Sequence, residues 1–467
     1  MRVLRRLPPE SNARAQRYRF GQGLRKACPR ADQGVWKPRE DAIDPLTLLE
    51  ESDAGRIAGL IPLRYARMAQ SPFGFFRGSA IIQARDLRDA TVSGLTIQLC
   101  GDCHLSNFGG FGTPERNLIF DINDFDESFP GPWEWDLKRL AVSFVLAARH
   151  RNFGDAVARD AVAAAVGTYR VRTAEYAQMS PLDIWYTQID FTELRAFFRR
   201  NSRAMAGLRA AESLAHRRTS EAMYPKLTTP VGGSAKIIDD PPLIYHFHEY
   251  AEEWDTSIHA FFERYRRSML DDRRKLFDRY RFADIAIKVV GVGSVGTRCA
   301  VALFLADALD PLFLQIKEAR RSVLESTQGK SRFTHQGERV VAGQRLMQAA
   351  SDIFLGWAEI PHSQDYYVRQ LRDMKVSANV EEFSRRDLAD YARMCGWALA
   401  RAHAKAGDAA TVAGYIGSGD RFDRAIRTYA VAYADQVQSD YARFLDAIRS
   451  GRFQTQTGDF SEVEFAP

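Results

Sequence analysis

Apolar and polar positions follow two different spacings along this chain. From 137 to about 277, and again from 384 to about 450, apolar residues recur with a period near 3.6, as in amphipathic helices. The stretch 45–70 has the same period. By contrast, "GLTIQLCGD", "RNLIFDIND" and the stretch 283–375 contain short apolar runs bounded by turn residues, which are typical of strands. The pattern predicts an α+β fold in which a small sheet-rich part is embedded between helical parts.

These changes in the spacing of apolar residues divide the chain into four segments. Residues 1–45 are predicted to be a basic, irregular N-terminal arm, and 46–282 to be a mostly helical part with chemistry-bearing loops at 101–107 and 121–136. Residues 283–375 form the predicted β-rich part, and 376–467 return to helices. Within 46–282, the Pro- and Gly-rich stretch 224–247 is predicted to be a loop beside a site or a domain joint.

The amino-acid composition excludes only a few classes of protein. The chain has 467 residues, 45% of them hydrophobic, and 65 basic against 59 acidic residues give a net charge of +6. So small an excess favours anionic ligands weakly. Basic residues gather at the N-terminus, where a solvated arm is the simpler interpretation, and we do not expect nucleic-acid binding. No run of about 18 apolar residues and no secretory h-region occurs, so we expect a cytoplasmic protein that does not enter a membrane.

The stretch "LCGDCHLSNFGGFG", residues 99–112, has three incompatible interpretations. Cys100, Cys103 and His104 fit the C-x-x-C-H pattern of haem attachment, but that attachment normally occurs outside the cytoplasm. A redox pair would need a helix N-terminus to lower the pKa of a thiol, whereas an Asn-Phe-Gly-Gly loop follows here. The chain has five cysteines. The simplest interpretation of Cys100 and Cys103 is that they are two unreactive thiols near the end of a strand.

The third interpretation depends on the polar residues of the same stretch. Asp102 and Asn107 follow a predicted buried strand, and Asp124 follows the next one. Phosphoryl transfer needs an aspartate that orients the attacking hydroxyl, and an Asn and an Asp that hold magnesium against the nucleotide phosphates. These three residues supply that chemistry in that order. The structural alternative is that the acids cap helices and turns.

At this point the chain resembles the protein-kinase-like superfamily, and within it the aminoglycoside and choline phosphotransferases. Their loop reads approximately H-G-D-x-H-x-x-N, and "GDCHLSN" carries Asp102, His104 and Asn107 at the same spacing. Cys100 stands where those enzymes usually have their first histidine, which puts only a loop-bracing contact in doubt. Downstream, "NDFDESFPGPWEWDLKRLA" contains Asp124-Phe and Asp136-Leu, twelve residues apart as in that branch.

The resemblance implies a role for each matching residue. Asp102 would be the catalytic base, with His104 beside it in the catalytic loop. Asn107 and Asp124 would hold Mg²⁺, with Asp126 a further ligand and Asp121 a weaker candidate. Asp136 would be a buried brace for the catalytic loop.

A site of this kind also needs a loop that covers the phosphates and a lysine that binds them. Upstream of the catalytic loop neither is found, but "VVGVGSVGTRCAVALF" places Gly291, Gly293 and Gly296 in G-x-G-x-x-G order. A dinucleotide-binding turn uses the same glycines before a helix. Here two apolar stretches follow, and Lys317 ends the second like the lysine of V-A-I-K, which favours a covering hairpin. We expect Lys317 to pair with Glu338, or failing that with Glu325.

The kinase-like order continues, which leads to a circular permutation. A hinge binding adenine through backbone groups is predicted near Gln370 and Leu371, and the helix that follows resembles the one that normally runs into the catalytic loop. In this chain that helix comes last. Arg77, in "FFRGSA", is a further candidate for phosphate binding, because a guanidinium fork suits phosphate oxygens.

Four stretches, "LRYARMAQSPFGFFRGSA", "CGDCHLSNFG", "FDINDFDESFPGPWEWDLKRL" and "ARAHAKAGDAATVAGYIG", resemble a bacterial family of unknown function, DUF2252, over nearly the whole chain. That resemblance implies no substrate. We expect a permuted two-lobed kinase-like fold with ATP and Mg²⁺ as cofactors, acting on an unknown small-molecule or protein acceptor. The alternatives are a catalytically silent nucleotide-binding module and an enzyme that transfers a nucleotidyl group.

Overall fold

A computed structural model describes residues 14–38, 43–231, 234–241, 243–246, 251–289, 291, 293–307, 310–360, 364–371 and 374–456. Its helices, in chain order, are α1 Arg14–Leu24, α2 Pro45–Asp53, α3 Ile61–Met68, α4 Pro72–Gly78, α5 Ala80–Asp86, α6 Glu134–His150, α7 Asp155–Tyr176, α8 Pro181–Tyr186, α9 Phe191–Phe197, α10 Ser202–His216, α11 Ser220–Leu227, α12 Ala251–Ser268, α13 Asp271–Phe277, α14 Glu325–Gln328, α15 Gln336–Met347, α16 Arg385–Ala406, α17 Ala409–Ile416 and α18 Arg421–Arg449.

The strands are short and pair antiparallel throughout the described residues. They are β1 Thr96–Leu99, β2 Phe108–Gly112, β3 Leu118–Ile122, β4 Phe129–Pro132, β5 Thr228–Val231, β6 Ser234–Ile237, β7 Ile244–Tyr245, β8 Arg281–Lys288, β9 Cys299–Leu305, β10 Pro311–Glu318, β11 Gly356–Glu359, β12 Asp365–Gln370 and β13 Val376–Ser377. Helices and antiparallel strands segregate along the chain, so the predicted α+β class is confirmed.

The largest sheet has six strands in the order β11-β12-β10-β9-β8-β7. Side chains alternate between its two faces, as the pleat requires. On β10, Leu312, Leu314 and Ile316 pack in one apolar cluster with the aromatic residues of α12 and α13. Phe313 and Lys317 therefore lie on the opposite face, which we call the cleft face. There Phe313 packs with residues of β6, β8 and β9.

The helical part has its own core, formed largely by α6, α7, α16 and α18. Helices α7 and α16 approach closely where Gly396 faces the backbone of α7. A Cβ at that position would lie 2.1 Å from the carbonyl oxygen of Ala165, so only glycine allows this contact. A three-stranded sheet, in the order β13-β2-β3, lies beside this core and carries the loops that bear the candidate site.

The N-terminal arm is more ordered than its composition predicts. Residues 14–24 form helix α1, whose Tyr18 lies against α17 at Gly414. Arg25 Nε and Arg30 Nη1 donate to the carbonyls of Tyr415 and Ile416, each at 2.9 Å. These carbonyls end α17 and need donors, so the basic residues cap a helix C-terminus. Residues 1–13 and 39–42 of the predicted arm lie outside the described residues.

Three other expectations change in detail. The predicted helix 45–70 is two helices, α2 and α3, because the chain turns at Gly55, where φ is +79°. The predicted loop 224–247 contains strands β5, β6 and β7. Helices α12 and α13, assigned by sequence to the helical part, pack on the six-stranded sheet.

Candidate functional site

The 101–107 loop connects β1 to β2 in a conformation that only glycine permits at its start. Gly101 has a φ of +86°, and a Cβ there would lie 2.1 Å from the carbonyl oxygen of Glu127. The carbonyl of Asp102 then accepts the His104 backbone N–H at 2.9 Å and the Asn107 Nδ2 at 2.8 Å. Because Nδ2 is used in this way, Oδ1 of Asn107 is left as an acceptor.

Asp136, in the first turn of α6, fixes the start of the 101–107 loop. Its carboxylate accepts the backbone N–H groups of Cys100 and Gly101 at 2.9 and 3.0 Å. His403 Nε2 lies 3.3 Å from the same carboxylate, and its Nδ1 lies 2.9 Å from the Tyr169 hydroxyl. Cys100, Asp136, His403 and Tyr169 are all buried. Asp136 therefore fixes the start of the loop, and His403 is part of that support.

We expect Asp136→Asn to destabilise the protein by about 1–3 kcal/mol, because an amide NH₂ cannot replace a carboxylate oxygen and one buried backbone N–H then loses its acceptor. Urea unfolding of the variant beside Asp160→Asn, an exposed position on α7, measures the difference. Equal midpoints for the two variants would contradict the bracing role.

Asp102 lies half-buried beside two cationic side chains, Arg139 and Arg77. Its Oδ1 forms a close ion pair with Arg139 Nε, and Arg139 is held in turn by the carbonyl of Phe76 at 2.9 Å. Burial raises the pKa of Asp102 above its ordinary value, against the opposing effects of Arg139 and Arg77. A raised pKa makes the carboxylate a stronger base, which suits it to accept a proton.

His104 is buried beside Asp102, with Nε2 3.7 Å from the Asp102 Oδ2. Burial, reinforced by Arg77 and Arg139, holds the pKa of His104 well below its usual range. The imidazole is therefore neutral at physiological pH. Its Nδ1 is buried and has no hydrogen-bond partner among the described residues.

The acidic loop after β3 is tied directly to the 101–107 loop. The Asn123 N–H donates to the carbonyl of Asn107 at 2.8 Å, and Oδ1 of Asp124 accepts the Asp126 N–H at 3.2 Å. Burial and the neighbouring Asp126 raise the pKa of Asp124. A divalent cation would relieve both effects, and carboxylate and amide oxygens are the ligands that Mg²⁺ prefers. Asn107, Asp124 and Asp126 thus fit a magnesium site chemically.

Asp121, the weaker candidate ligand, has a structural role. It is 1% exposed, and both of its carboxylate oxygens accept from Arg401 of α16, at 3.1 and 3.0 Å. Its Oδ2 also accepts the Ala349 N–H at 2.8 Å.

Lys317 reaches the acidic loop from the six-stranded sheet. Its Nζ lies 2.6 Å from Oδ2 of Asp126, whose Oδ1 accepts the Tyr367 hydroxyl at 2.6 Å. Burial opposes ionisation of Asp126, but Lys317 and Tyr367 outweigh it and hold the pKa of Asp126 below its usual range. Asp124 and Asp126 raise the pKa of Lys317 although burial acts against them.

The predicted partners of Lys317 are therefore corrected. Glu338 lies in the first turn of α15, where its N–H donates to His335 Nδ1 at 3.3 Å, and Glu325 begins α14. In α15 it is the next residue, Arg339, that reaches the acidic loop, donating to the carbonyls of Asp126 and Ser128 at 2.8 and 2.6 Å. The lysine pairs with the acidic loop itself because Asp126 is brought within reach.

The glycine loop, of which residues 289, 291 and 293–298 are described, lies between β8 and β9. Gly291 and Gly296 have φ of +71° and +85°, and a strand follows Gly296. A dinucleotide-binding turn requires a helix at that point, so that interpretation is wrong. Arg67 Nη1 donates to the Gly291 carbonyl at 2.5 Å, and Ile57 N–H donates to the Gly296 carbonyl at 2.8 Å. The N-terminal helices therefore hold this loop against the helical part.

One cavity of about 560 Å³ brings together most of the residues predicted from the sequence. Those that line it are Asp102, His104, Asn107, Asp124, Asp126, Gly291, Gly293 and Arg77. Arg77 supplies the nearest backbone contact to Gly293, since its carbonyl oxygen lies 3.2 Å from where a Cβ on that glycine would be. Ser294 Oγ lies 3.5 Å from Asp126 Oδ2. Residues almost two hundred positions apart in sequence thus face the same space.

Unlike most of the other predicted site residues, the predicted hinge residues Gln370 and Leu371 do not line this cavity. The Gln370 N–H donates to the carboxylate of Asp352, and the Leu371 N–H donates to the Phe313 carbonyl at 2.9 Å. Leu371 also packs on the cleft face of the sheet with Ile237 of β6. Gln370 lines a separate cavity of about 230 Å³. In this conformation neither N–H is available to an adenine ring, and the prediction that backbone groups near Gln370 and Leu371 bind adenine stays a prediction.

The cysteine pair does not support a redox or haem role. Cys100 and Cys103 are buried, and burial raises the pKa of Cys103 to about 11 and that of Cys100 as well. Both sulfurs lie within 4.8 Å of an Asp136 oxygen, but the Asp136 carboxylate is already used by the loop N–H groups. Buried thiols of raised pKa are unreactive.

Sequence reasoning missed two residues that contact the candidate chemistry directly. Arg139 lies three positions after Asp136 in "DLKR", on the same face of α6, so its approach to the loop follows from helix geometry. Tyr367 is opposite Lys317 in the register of β10 and β12, which no local signal reveals.

Comparison with known proteins identifies a family without a described activity. A family model described as an uncharacterized protein conserved in bacteria, DUF2252, matches residues 56–447. Neither a curated protein nor a solved structure matches the chain. Among the described helices, none has the length and apolar character that a transmembrane span requires.

Proposed function

We propose that this chain, which belongs to the uncharacterised bacterial family DUF2252, is an ATP- and Mg²⁺-dependent phosphotransferase with a circularly permuted, two-lobed protein-kinase-like fold. The observation that carries the proposal is the shared cavity. Asp102, Asn107 and Asp124 line it from one part of the chain, and Gly291 and Gly293 line it from another. Phosphoryl transfer needs both sets of groups at one place.

The roles follow from the contacts of each group. Asp102 accepts the proton of the acceptor hydroxyl and orients its oxygen, and Arg139 fixes the carboxylate for that purpose. Asn107 and Asp124 hold Mg²⁺, which when bound neutralises charge on the β and γ phosphates. Lys317 exchanges Asp126 for a phosphate oxygen, and backbone N–H groups of the glycine loop cover the phosphates.

The proposed permutation is supported by contacts of the helix that follows the hinge. Tyr391 of α16 donates to the carbonyls of Leu105 and Phe108, each at 3.0 Å, and Arg401 and His403 of the same helix contact Asp121 and Asp136. Helix α16 thus lies directly against the 101–107 loop although it comes almost three hundred residues later. An unpermuted phosphotransferase would join that helix to the loop by a short connection.

A catalytically silent nucleotide-binding module is the second candidate. The ion pair between Asp102 and Arg139 favours it, because a guanidinium group that holds the carboxylate opposes its protonation without affecting nucleotide binding. Mg-ATP would then raise the melting temperature without turnover.

Mass spectrometry of acceptors separates the candidates. The protein is incubated with Mg-ATP and a small-molecule extract, and products are compared with those of Asp124→Asn. Phosphoryl transfer adds about 80 Da to an acceptor, whereas adenylyl transfer adds about 329 Da. No mass shift together with Mg-ATP stabilisation would reject the enzyme in favour of the silent module.

The pH dependence of phosphoryl transfer should show that the pKa of Asp102 is raised. Since the base reacts in its deprotonated form and its pKa is raised, the rate is expected to rise with pH through a value above the ordinary aspartate range. Arg139→Gln removes a cation that lowers this pKa, so the rising limb of kcat/KM should move to higher pH. Arg159→Gln, at an exposed position of α7, serves as the control. An unmoved limb in Arg139→Gln would contradict the assignment of Asp102 as the titrating base.

A further inference from the structure

Three guanidinium groups outside the proposed nucleotide site line the same cavity. Arg56 and Arg64 come from the α2–α3 region, and Arg320 follows β10. Each is held in place by backbone oxygens. Arg56 donates to Ser52 at 3.0 Å, Arg64 to Gly78 at 2.7 Å, and Arg320 to Ser52 at 3.0 Å. The cluster is therefore built into the wall of the cavity.

This cluster contains three guanidinium groups and one carboxylate, that of Asp53, while Glu51, Glu127, Glu318 and Glu325 also line the cavity. Asp53 pairs with Arg64 at 2.6 Å and with Arg56 at 3.7 Å, so one carboxylate serves both. Burial, with Arg64 and Arg320 as neighbouring cations, lowers the pKa of Arg56 to about 9. Desolvated like charges repel, and a bound anion would remove that repulsion.

Two buried guanidinium N–H groups in the cavity wall have no acceptor among the described residues. Arg64 is completely buried, yet its Nε has no hydrogen-bond partner among the described residues, and the same holds for the buried Nε of Arg77. Both residues line the cavity. At the outer edge, the exposed side chains of Arg321 and Lys330 add two further cations. Buried guanidinium groups with open donors are suited to phosphate or carboxylate oxygens.

We infer that the acceptor is an anionic alcohol, whose phosphate or carboxylate group binds Arg64, Arg320 and Arg321 while its hydroxyl faces Asp102. This inference rests on the proposed phosphotransferase. In the reaction, the hydroxyl oxygen forms a bond to the γ phosphorus of ATP, and the bond from that phosphorus to the β–γ bridging oxygen breaks. The hydroxyl proton passes to Asp102, and the electron pair leaves with ADP.

Calorimetric titration with inorganic phosphate tests the anion subsite apart from catalysis. Wild-type protein is compared with Arg320→Gln, with the exposed pair Arg321→Gln and Lys330→Gln, and with Arg159→Gln as a control on α7. Loss of a charge-assisted hydrogen bond corresponds to a loss of affinity of about tenfold or more. We expect that loss in Arg320→Gln, a smaller loss in the exposed pair, and none in Arg159→Gln. Mg-ATP affinity should stay unchanged in all three. Should Arg320→Gln fail to fold, the exposed pair carries the test.

Phosphate affinity that is equal in wild type and in the cluster variants, but falls in Lys317→Met, would overturn the inference, because the anion would then occupy only the nucleotide site. Malonate, titrated in parallel, shows whether the subsite prefers a carboxylate to a phosphate. Phosphate binding through Arg320 without any Mg-ATP binding would keep the anion subsite and reject the phosphotransferase. The reverse result would keep the phosphotransferase and reject an anionic acceptor.

Discussion

Asp102→Asn should slow phosphoryl transfer by about 10²- to 10⁴-fold while leaving nucleotide binding intact. The amide keeps the shape of the side chain but cannot accept the acceptor's proton, and general-base catalysis contributes about 10²- to 10⁴-fold to a rate. Asp102 contacts Arg139 and not Lys317, so the affinity for Mg-ATP should change by no more than about twofold. Single-turnover transfer assays and calorimetry measure the two effects separately.

Asp435→Asn is the matched control, since Asp435 is exposed and pairs with Arg149 on the surface. It should keep full activity. Full activity in Asp102→Asn would contradict the assignment of Asp102 as the catalytic base. A parallel loss of Mg-ATP affinity would show that Asp102 acts in binding instead.

Lys317→Met should weaken Mg-ATP binding by about tenfold or more, because a charge-assisted hydrogen bond to phosphate is worth about 1.5–3 kcal/mol. The same change leaves Asp126, whose side chain is 28% exposed, without its cation. The protein should therefore also lose stability, by less than the about 3–5 kcal/mol seen for fully buried pairs. Asp126→Asn should remove most of that loss, so a double-mutant cycle isolates the pair.

Lys275→Met, at an exposed position of α13, controls for the loss of a lysine. Additive stability changes in the Lys317 and Asp126 cycle would contradict a direct pair. Unchanged Mg-ATP affinity in Lys317→Met would contradict its phosphate role.

Local patterns predicted the parts of the fold that depend on local chemistry. The strands around Ile97 and Phe120, and the long helices α6 and α16, are confirmed because buried strands and amphipathic helices have strong periodic signals. Helix 45–70 was predicted as one element because its apolar spacing continues across Gly55, where the backbone turns.

Contacts between distant segments could not be predicted in the same way. The pairing of Lys317 with Asp126, and not with Glu338, depends on how the six-stranded sheet packs against the acidic loop. The N–H groups of Gln370 and Leu371 are used internally because Asp352 and Phe313 lie beside them in space. The guanidinium wall joins Arg64 to Arg320 across more than two hundred residues, a proximity that no local sequence pattern reveals.

A crystal structure of the protein with Mn²⁺ and a non-hydrolysable ATP analogue tests the central claim most directly. The account expects an anomalous Mn²⁺ peak bound by Asn107 Oδ1 and an Asp124 carboxylate oxygen. It also expects phosphates against Lys317 and the backbone of Gly293 and Ser294. A nucleotide bound elsewhere, or a metal held by neither Asn107 nor Asp124, would contradict it.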